Sequence, residues 1–293
     1  MHFADILRHA GGSLLSFEFF PPRPAAEADF DLCFQTLAAF EPHFVSVTCG
    51  AGGSSQETTV PFVTSLAHRQ KTPVVPHLTC AGKSMAGVGE ILRRYEAAGI
   101  HNVVALRGDP PSGNPVPDGD FRYAADLVNW IRRDEVSRRA FGIGVAGFPE
   151  GHPSTPNRLV EMDYLKAKVD AGADYICTQL FFENHDFYDF RDRCSLAGIN
   201  VPVLAGIFPL TAAGQMKRMA ELAGRMRYPA SLLRALRRAD GNAETFRQIA
   251  LHQTAIQCHD LLNHGVAGLH FYTLNQKEPV SAVLKALGLP LRR

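Results

Sequence analysis

Glu18 stands in Ser16-Phe17-Glu18-Phe19-Phe20-Pro21-Pro22, a carboxylate set among aromatic residues. Apolar surroundings disfavour the charged form and raise the pKa, which suits a proton donor near neutral pH. The plainer alternative is a structural glutamate satisfied by an arginine. Asp109 follows Leu106-Arg107-Gly108 and precedes Pro110-Pro111. Gly108 permits close backbone approach to a ligand, and Asp109 can bind a cationic or amide-bearing ring edge, or simply cap a turn. Thr48, His77, His152, Gln179, Tyr272 and Asn275 likewise stand at or just beyond the ends of apolar runs. If those ends converge, they form a rim for a large polar ligand.

Convergence depends on the elements that carry these residues. Eight short runs read as strands: Leu14–Phe20, Phe44–Thr48, Val74–Thr79, Asn102–Leu106, Gly142–Gly147, Tyr175–Phe181, Val203–Ile207 and Gly268–Tyr272. They are mostly apolar on both faces, as doubly buried parallel strands are. Amphipathic stretches fill the gaps, such as Val88, Ile91, Leu92 and Tyr95 on one helical face. Ala98-Gly99-Ile100, Ala171-Gly172-Ala173, Ala197-Gly198-Ile199 and His264-Gly265-Val266 each close a helix before a strand. Glycine there permits the left-handed turn that ends a helix. The alternation predicts an α/β fold, a (β/α)8 TIM barrel whose active site lies at the C-terminal strand ends. Ala212–Ala223, Ser231–Ala239 and Ala243–His264 predict extra helices between strands seven and eight. Residues 1–293 read as one catalytic domain.

Composition narrows the function. A net charge of +1 leaves no electrostatic excess for nucleic acid or an anionic membrane. The basic run Arg225, Arg227, Arg234, Arg237 and Arg238 reads as a solvated helix face. Six cysteines without a CxxC pair point to reduced thiols in a cytoplasmic setting. No apolar run is long enough for a signal peptide or a membrane span. His252, His259 and His264 share one helical stretch without metal-ligand spacing, so no metal is expected. Gly142-Ile143-Gly144-Val145-Ala146-Gly147 matches G-x-G-x-x-G but opens no helix, so it is not a dinucleotide fingerprint. The segments Phe208–Thr211 and Thr273–Gln276 lack glycines, which disfavours the usual barrel phosphate site.

Taken together, Ser16–Arg23, Phe44–Thr48, Pro76–Cys80, Ala105–Pro111, Leu165–Ala173, Thr178–Phe182 and His270–Asn275 resemble the methylenetetrahydrofolate reductases of the bacterial, single-domain type. The resemblance implies an FAD enzyme of one-carbon metabolism. NADH or NADPH would reduce the flavin, and 5,10-methylenetetrahydrofolate would then be reduced to 5-methyltetrahydrofolate on the same flavin face, a ping-pong scheme. A homo-oligomer is expected. So is the lack of S-adenosylmethionine feedback, because the regulatory domain of eukaryotic members has no counterpart in the sequence.

By that resemblance Glu18 protonates the folate's bridging nitrogen, Asp109 stabilises the resulting cation beside the flavin, and Gln179 touches folate and nicotinamide. FAD-contacting positions fall at Thr48, Cys49, Ala51 and His77, then at Leu106, Arg107, Gly108 and Asp109. Further ones fall at Tyr123, Ala124, Ala146, Phe148 and His152, and on one helix at Glu161, Tyr164 and Lys168. Gln215, Met219, Tyr272 and Gln276 match substrate-contacting positions. Several residues depart from the family pattern. Cys49 and Phe148 stand where tyrosines are familiar, Tyr164 and Ala167 replace Asn and Arg, Met219 replaces Phe, and Gln276 replaces Arg. Ala167 removes a strong phosphate partner, which shifts that load towards Lys168. Two other readings compete with the reductase: another FAD barrel such as a proline dehydrogenase-like oxidase or a pterin-binding transferase barrel, and a flavin- or folate-binding protein without turnover.

Overall fold

The computed structural model describes residues 1–49, 56–108, 119–134, 137–155, 157–223 and 226–289. Eight parallel strands close in sequence order into a barrel: β1 (Leu14–Phe19), β2 (Phe44–Val47), β3 (Val74–Thr79), β4 (Asn102–Leu106), β5 (Gly142–Gly147), β6 (Tyr175–Thr178), β7 (Val203–Ile207) and β8 (Gly268–Tyr272). The strands expected from sequence are all present. β1 and β2 end one residue early, and β6 stops three residues early, at Thr178.

Strand alternation sorts the side chains. In β1, Leu15, Phe17 and Phe19 point outward into the shell of helices and are buried there. Each such buried side chain stabilises the fold by about 1.5–3 kcal/mol relative to exposure. Leu14, Ser16 and Glu18 point into the barrel. The glycines that end helices before β4, β6, β7 and β8 all have positive φ: Gly99 +73°, Gly172 +115°, Gly198 +73° and Gly265 +65°. A side chain would strain each of these turns.

The N-terminal segment forms a helix, Phe3–His9, that the sequence reading did not anticipate. It closes the bottom of the barrel. The Phe3 ring stacks on Tyr175 at 4.0 Å, and both join Ile6, Leu14, Phe44, Val75, Val104 and Leu204 in an apolar floor. The Asn102 side-chain amide donates to the Met1 carbonyl at 2.8 Å. Between β7 and β8 lie three helices, Ala213–Ala223, Ala230–Arg237 and Ala243–Asn263, as expected. They build a second apolar cluster above the barrel rim, around Leu180, Phe208, Leu210, Met219 and Leu232.

Candidate active site at the barrel mouth

Glu18 projects inward near the top of β1, level with Ser46 on β2 and Tyr272 on β8. Its side chain is 12% exposed. Oε2 lies 3.3 Å from His77 Nε2 and 3.7 Å from His270 Nε2. Beneath it, His270 is packed between two serines: Nδ1 is 2.7 Å from Ser16 Oγ and Nε2 is 3.4 Å from Ser46 Oγ.

This arrangement corrects the expected charge state of Glu18. Burial pushes its pKa up, but hydrogen bonds from His270 and His77 and their charges outweigh burial and hold it at about 2. Burial alone would strip the proton from His270, yet Cys177 and Glu18 raise its pKa to about 10. The pair therefore favours a carboxylate on Glu18 beside an imidazolium on His270. The aromatic neighbours in sequence, Phe17 and Phe19, do not surround the carboxyl, because both lie on the opposite face of the strand. Among the described residues no arginine pairs with Glu18; its partners are histidines.

The strand ends are fastened to one another. Thr273 Oγ1 donates to the Glu18 carbonyl at 2.6 Å. The Phe20 amide donates to Asn275 Oδ1 at 2.9 Å, and Asn275 Nδ2 donates to the Phe20 carbonyl at 3.0 Å. Leu274 and Asn275 adopt φ of +49° and +56°, left-handed values that side chains rarely take and that cluster at functional sites. Tyr272 donates its hydroxyl to the Thr178 carbonyl at 2.6 Å, tying β8 to β6 across β7.

The residues matched to FAD lie along the rim from β2 to the helix Arg158–Asp170. Thr48 Oγ1 is buried without a hydrogen-bond partner among the described residues. Cys49 Sγ lies 4.0 Å from Thr79 Oγ1. Leu106 is half-buried at the end of β4, Arg107 beyond it is exposed, and Gly108 turns with φ +87°. A Cβ on Gly108 would meet Thr79 Cβ at 3.1 Å. Tyr123, just before the half-buried Ala124, is exposed and stacks on Tyr164 with ring centroids 6.3 Å apart. Phe148 meets His152 edge to face at 4.6 Å. Lys168 Nζ donates to the Ala146 carbonyl at 2.6 Å, and burial pulls its pKa down to about 8. Glu161 lies 3.7 Å from Arg158. An orphaned hydroxyl, a buried amine and an exposed aromatic pair fit a ligand that carries both phosphates and flat rings, as FAD does.

On the substrate side, Gln179 Oε1 accepts from the Leu180 amide at 2.9 Å. Gln215 Oε1 accepts from the Thr211 and Ala212 amides, which spends its carbonyl on the start of its own helix. Met219 is 6% exposed and packs in the upper apolar cluster. Gln276 begins the helix Lys277–Ala286. Ala51, Asp109 and Arg225 lie outside the described residues.

Sequence reasoning assigned no role to His270, which lies 3.7 Å from the Glu18 carboxylate. A signal was available: His270 and Tyr272 share one face of β8 by alternation, as Ser16 and Glu18 share one face of β1. The G-x-G-x-x-G run is indeed strand β5, and its glycines serve packing. A Cβ on Gly144 would overlap the Tyr175 ring. In the basic run, Arg234 and Arg237 are exposed on one helix with Arg238 as its C-cap, and Arg227, also exposed, pairs with Asp186 and lies 3.9 Å from Glu150. A separate cleft of about 250 Å³, lined by Phe182, Asn184, Leu210, Leu232, Thr254 and Asp260 among others, shares no lining residue with the Glu18 site. All six cysteines are free. No helix among the described residues is long and apolar enough to cross a membrane.

A closed parallel barrel with a carboxylate held between two histidines at its C-terminal mouth defines a β/α-barrel enzyme. The profile of the methylenetetrahydrofolate reductase family matches residues 2–288, and the chain belongs to that family of oxidoreductases. It is 37% identical over 276 residues to the 5,10-methylenetetrahydrofolate reductase of Escherichia coli, covering 94% of this chain and 90% of that protein. It is also 37% identical over 294 residues to methylenetetrahydrofolate reductase (NADH) 1 of Arabidopsis thaliana, covering 95% of this chain but only 49% of that longer protein. Among solved structures, a Clostridium thermocellum protein that binds two copies of 5-methyl-5,6,7,8-tetrahydrofolic acid superposes with a TM-score of 0.65 over 99% of both chains. At 12% identity that likeness is one of fold.

Proposed function

We propose that this protein reduces 5,10-methylenetetrahydrofolate to 5-methyltetrahydrofolate, with NADH or NADPH as reductant and FAD as resident cofactor in a ping-pong cycle. The observation that carries the reading is Glu18, fixed at the mouth of a barrel of this family and within 3.3 Å of a second proton carrier, His77. FAD, when bound, supplies hydride acceptance from the nicotinamide and hydride donation to the folate. Arg107 and Lys168 supply positive charge for its phosphates, and Thr48 offers the unpartnered hydroxyl. Tyr123 and Tyr164 present flat apolar surface to one of its ring systems.

Glu18 gives a proton to the bridging nitrogen of the folate's five-membered ring. The C–N bond then opens to an iminium, which is the species able to accept hydride. By the family resemblance Asp109 supplies the negative charge that stabilises that cation, and Gln179 orients the ring. Gln215, Met219, Tyr272 and Gln276 complete the folate side.

The test separates the half-reactions. Purified protein should be yellow or should take up FAD, bleach with NAD(P)H and recover colour with methylenetetrahydrofolate. Glu18→Gln should keep the bleaching and lose roughly 10²–10⁴-fold in the recovery, the usual contribution of a general acid. A colourless protein that cannot be reconstituted with FAD would sink the reading, as would equal survival of both half-reactions.

A further inference from the structure

An acid must hold a proton before it can give one, yet the two histidines beside Glu18 favour its carboxylate form. The proton is close by. His77, 13% exposed, faces the open mouth, whereas His270, 2% exposed, sits below Glu18. Ser16 Oγ lies 2.7 Å from His270 Nδ1, and in the imidazolium form Nδ1–H donates to it. Nε2 is the nitrogen on the Glu18 side, so a proton exchanged with the carboxyl is the one on Nε2. Nε2 faces Ser46 Oγ and the Glu18 carboxylate.

The other walls are accounted for. Cys177 of β6 approaches the imidazole, and Tyr272 of β8 stands edge-on to it at 5.5 Å. The Phe44 ring of β2 stacks on it at 6.1 Å. Below lies the floor of Phe44, Tyr175 and Phe3, apolar apart from the Tyr175 hydroxyl, which has no hydrogen-bond partner among the described residues.

We propose that His270 is a positioning residue that stores the proton Glu18 delivers, and that covering the mouth with ligands moves this proton onto the carboxyl. The inference rests on reading Glu18 as the acid. The Glu18 side chain is 12% exposed, and solvent at that edge would stabilise the carboxylate–imidazolium pair. Flavin and pterin rings laid over the mouth remove that water. Desolvation costs an ion pair more than the corresponding neutral pair, so the proton crosses from His270 Nε2 to Glu18 Oε2. The crossing needs the 3.7 Å separation to shorten by about 1 Å, to hydrogen-bond length. The carboxyl then passes this proton to the bridging nitrogen, whose bond to the methylene carbon breaks with its electron pair remaining on nitrogen. The carboxylate returns and His270 is left neutral. One proton from solvent, entering through His77 and Glu18, restores it for the next turnover.

Two measurements test the proposal. The first is nitrogen-15 NMR of the FAD-loaded enzyme with labelled histidine, the His270 signal being assigned by its displacement in Glu18→Gln. The expected result near neutral pH is an imidazolium without folate and a neutral ring when 5-methyltetrahydrofolate saturates the site. A ring in the same protonation state under both conditions overturns the proposal. The second is rapid mixing of His270→Gln. Its reduced form should react with methylenetetrahydrofolate about tenfold more slowly or worse, with an altered pH profile, while bleaching by NAD(P)H proceeds at the wild-type rate. A folate-step pH profile that superimposes on wild type overturns it. If Glu18→Gln retains folate reduction, the reading of Glu18 as the acid falls. If Glu18→Gln loses it while the His270→Gln profile is unchanged, only the role of His270 falls. Should His270→Gln fail to fold, the NMR comparison on wild type still decides.

Discussion

Asn275 grips Phe20 at both ends of its peptide unit, accepting from its amide at 2.9 Å and donating to its carbonyl at 3.0 Å. Phe20 follows β1 by one residue, so the loop after β8 sets where the strand carrying Glu18 leaves the barrel. Replacing Asn275 by Gly tolerates the positive φ and deletes only the side-chain bonds. The expected loss is about 1–3 kcal/mol of unfolding free energy, from two partly buried hydrogen bonds. Urea titration measures it, and a shift below a few tenths of a kcal/mol would mean the grip is incidental.

Glu18 and His270 should also make stability depend on pH in two directions. The folded pKa of Glu18 lies below its ordinary 4.5, so its contribution is present above 4.5 and lost as pH falls towards about 2. The folded pKa of His270 lies above its ordinary 6.5, so its contribution is complete below 6.5 and lost as pH rises towards about 10. The difference in Tm between wild type and Glu18→Gln should therefore be widest between pH 4.5 and 6.5 and narrow on either side. A constant difference across that range and beyond would contradict the pairing.

Lys168 predicts how tightly FAD is held. Charge-assisted hydrogen bonds to phosphate contribute about 1.5–3 kcal/mol, so Lys168→Gln should weaken FAD binding by about tenfold or more. Burial holds the unliganded amine near a pKa of about 8, whereas an anionic ligand favours the ammonium. Affinity in the wild type should be full below pH 8 and decline above it, and the variant should lose that decline. Flavin fluorescence titration at several pH values reads both effects.

Gly144 predicts a packing limit. Its missing side chain makes room for the Tyr175 ring, which in turn supports Phe3. Gly144→Ala should destabilise the protein by about 1–3 kcal/mol or more, the range for overpacking a close-packed interior. Thermal unfolding checks it, and an unchanged Tm would show that the floor can yield.

Most of the barrel was legible in the sequence because doubly buried strands must be apolar on both faces. Runs such as Val203–Ile207 and Asn102–Leu106 have few other uses. The helix Phe3–His9 was not legible. Seven residues with only Phe3 and Ile6 buried make too weak a periodic signal, and its reason to fold is a tertiary cavity beneath Tyr175. The carboxylate at the mouth was legible, but its charge state was not. Neighbours in sequence fall on alternate faces of a strand, so Phe17 and Phe19 say little about what touches Glu18. Its true neighbours come from β3 and β8, one of them more than 250 residues away. The pairing of Arg227 depends on the same kind of distant partner, here Asp186.

The helix that corks the barrel also makes it a blind well. With Phe3 wedged against Tyr175, ligands and solvent reach Glu18 from the rim alone. Visitors to such a well queue: one must climb out before the next can reach the bottom, and whatever lies over Glu18 also isolates it from bulk protons. Timing of proton supply and timing of ligand exchange thus become the same event, imposed by a seven-residue segment on the far side of the molecule.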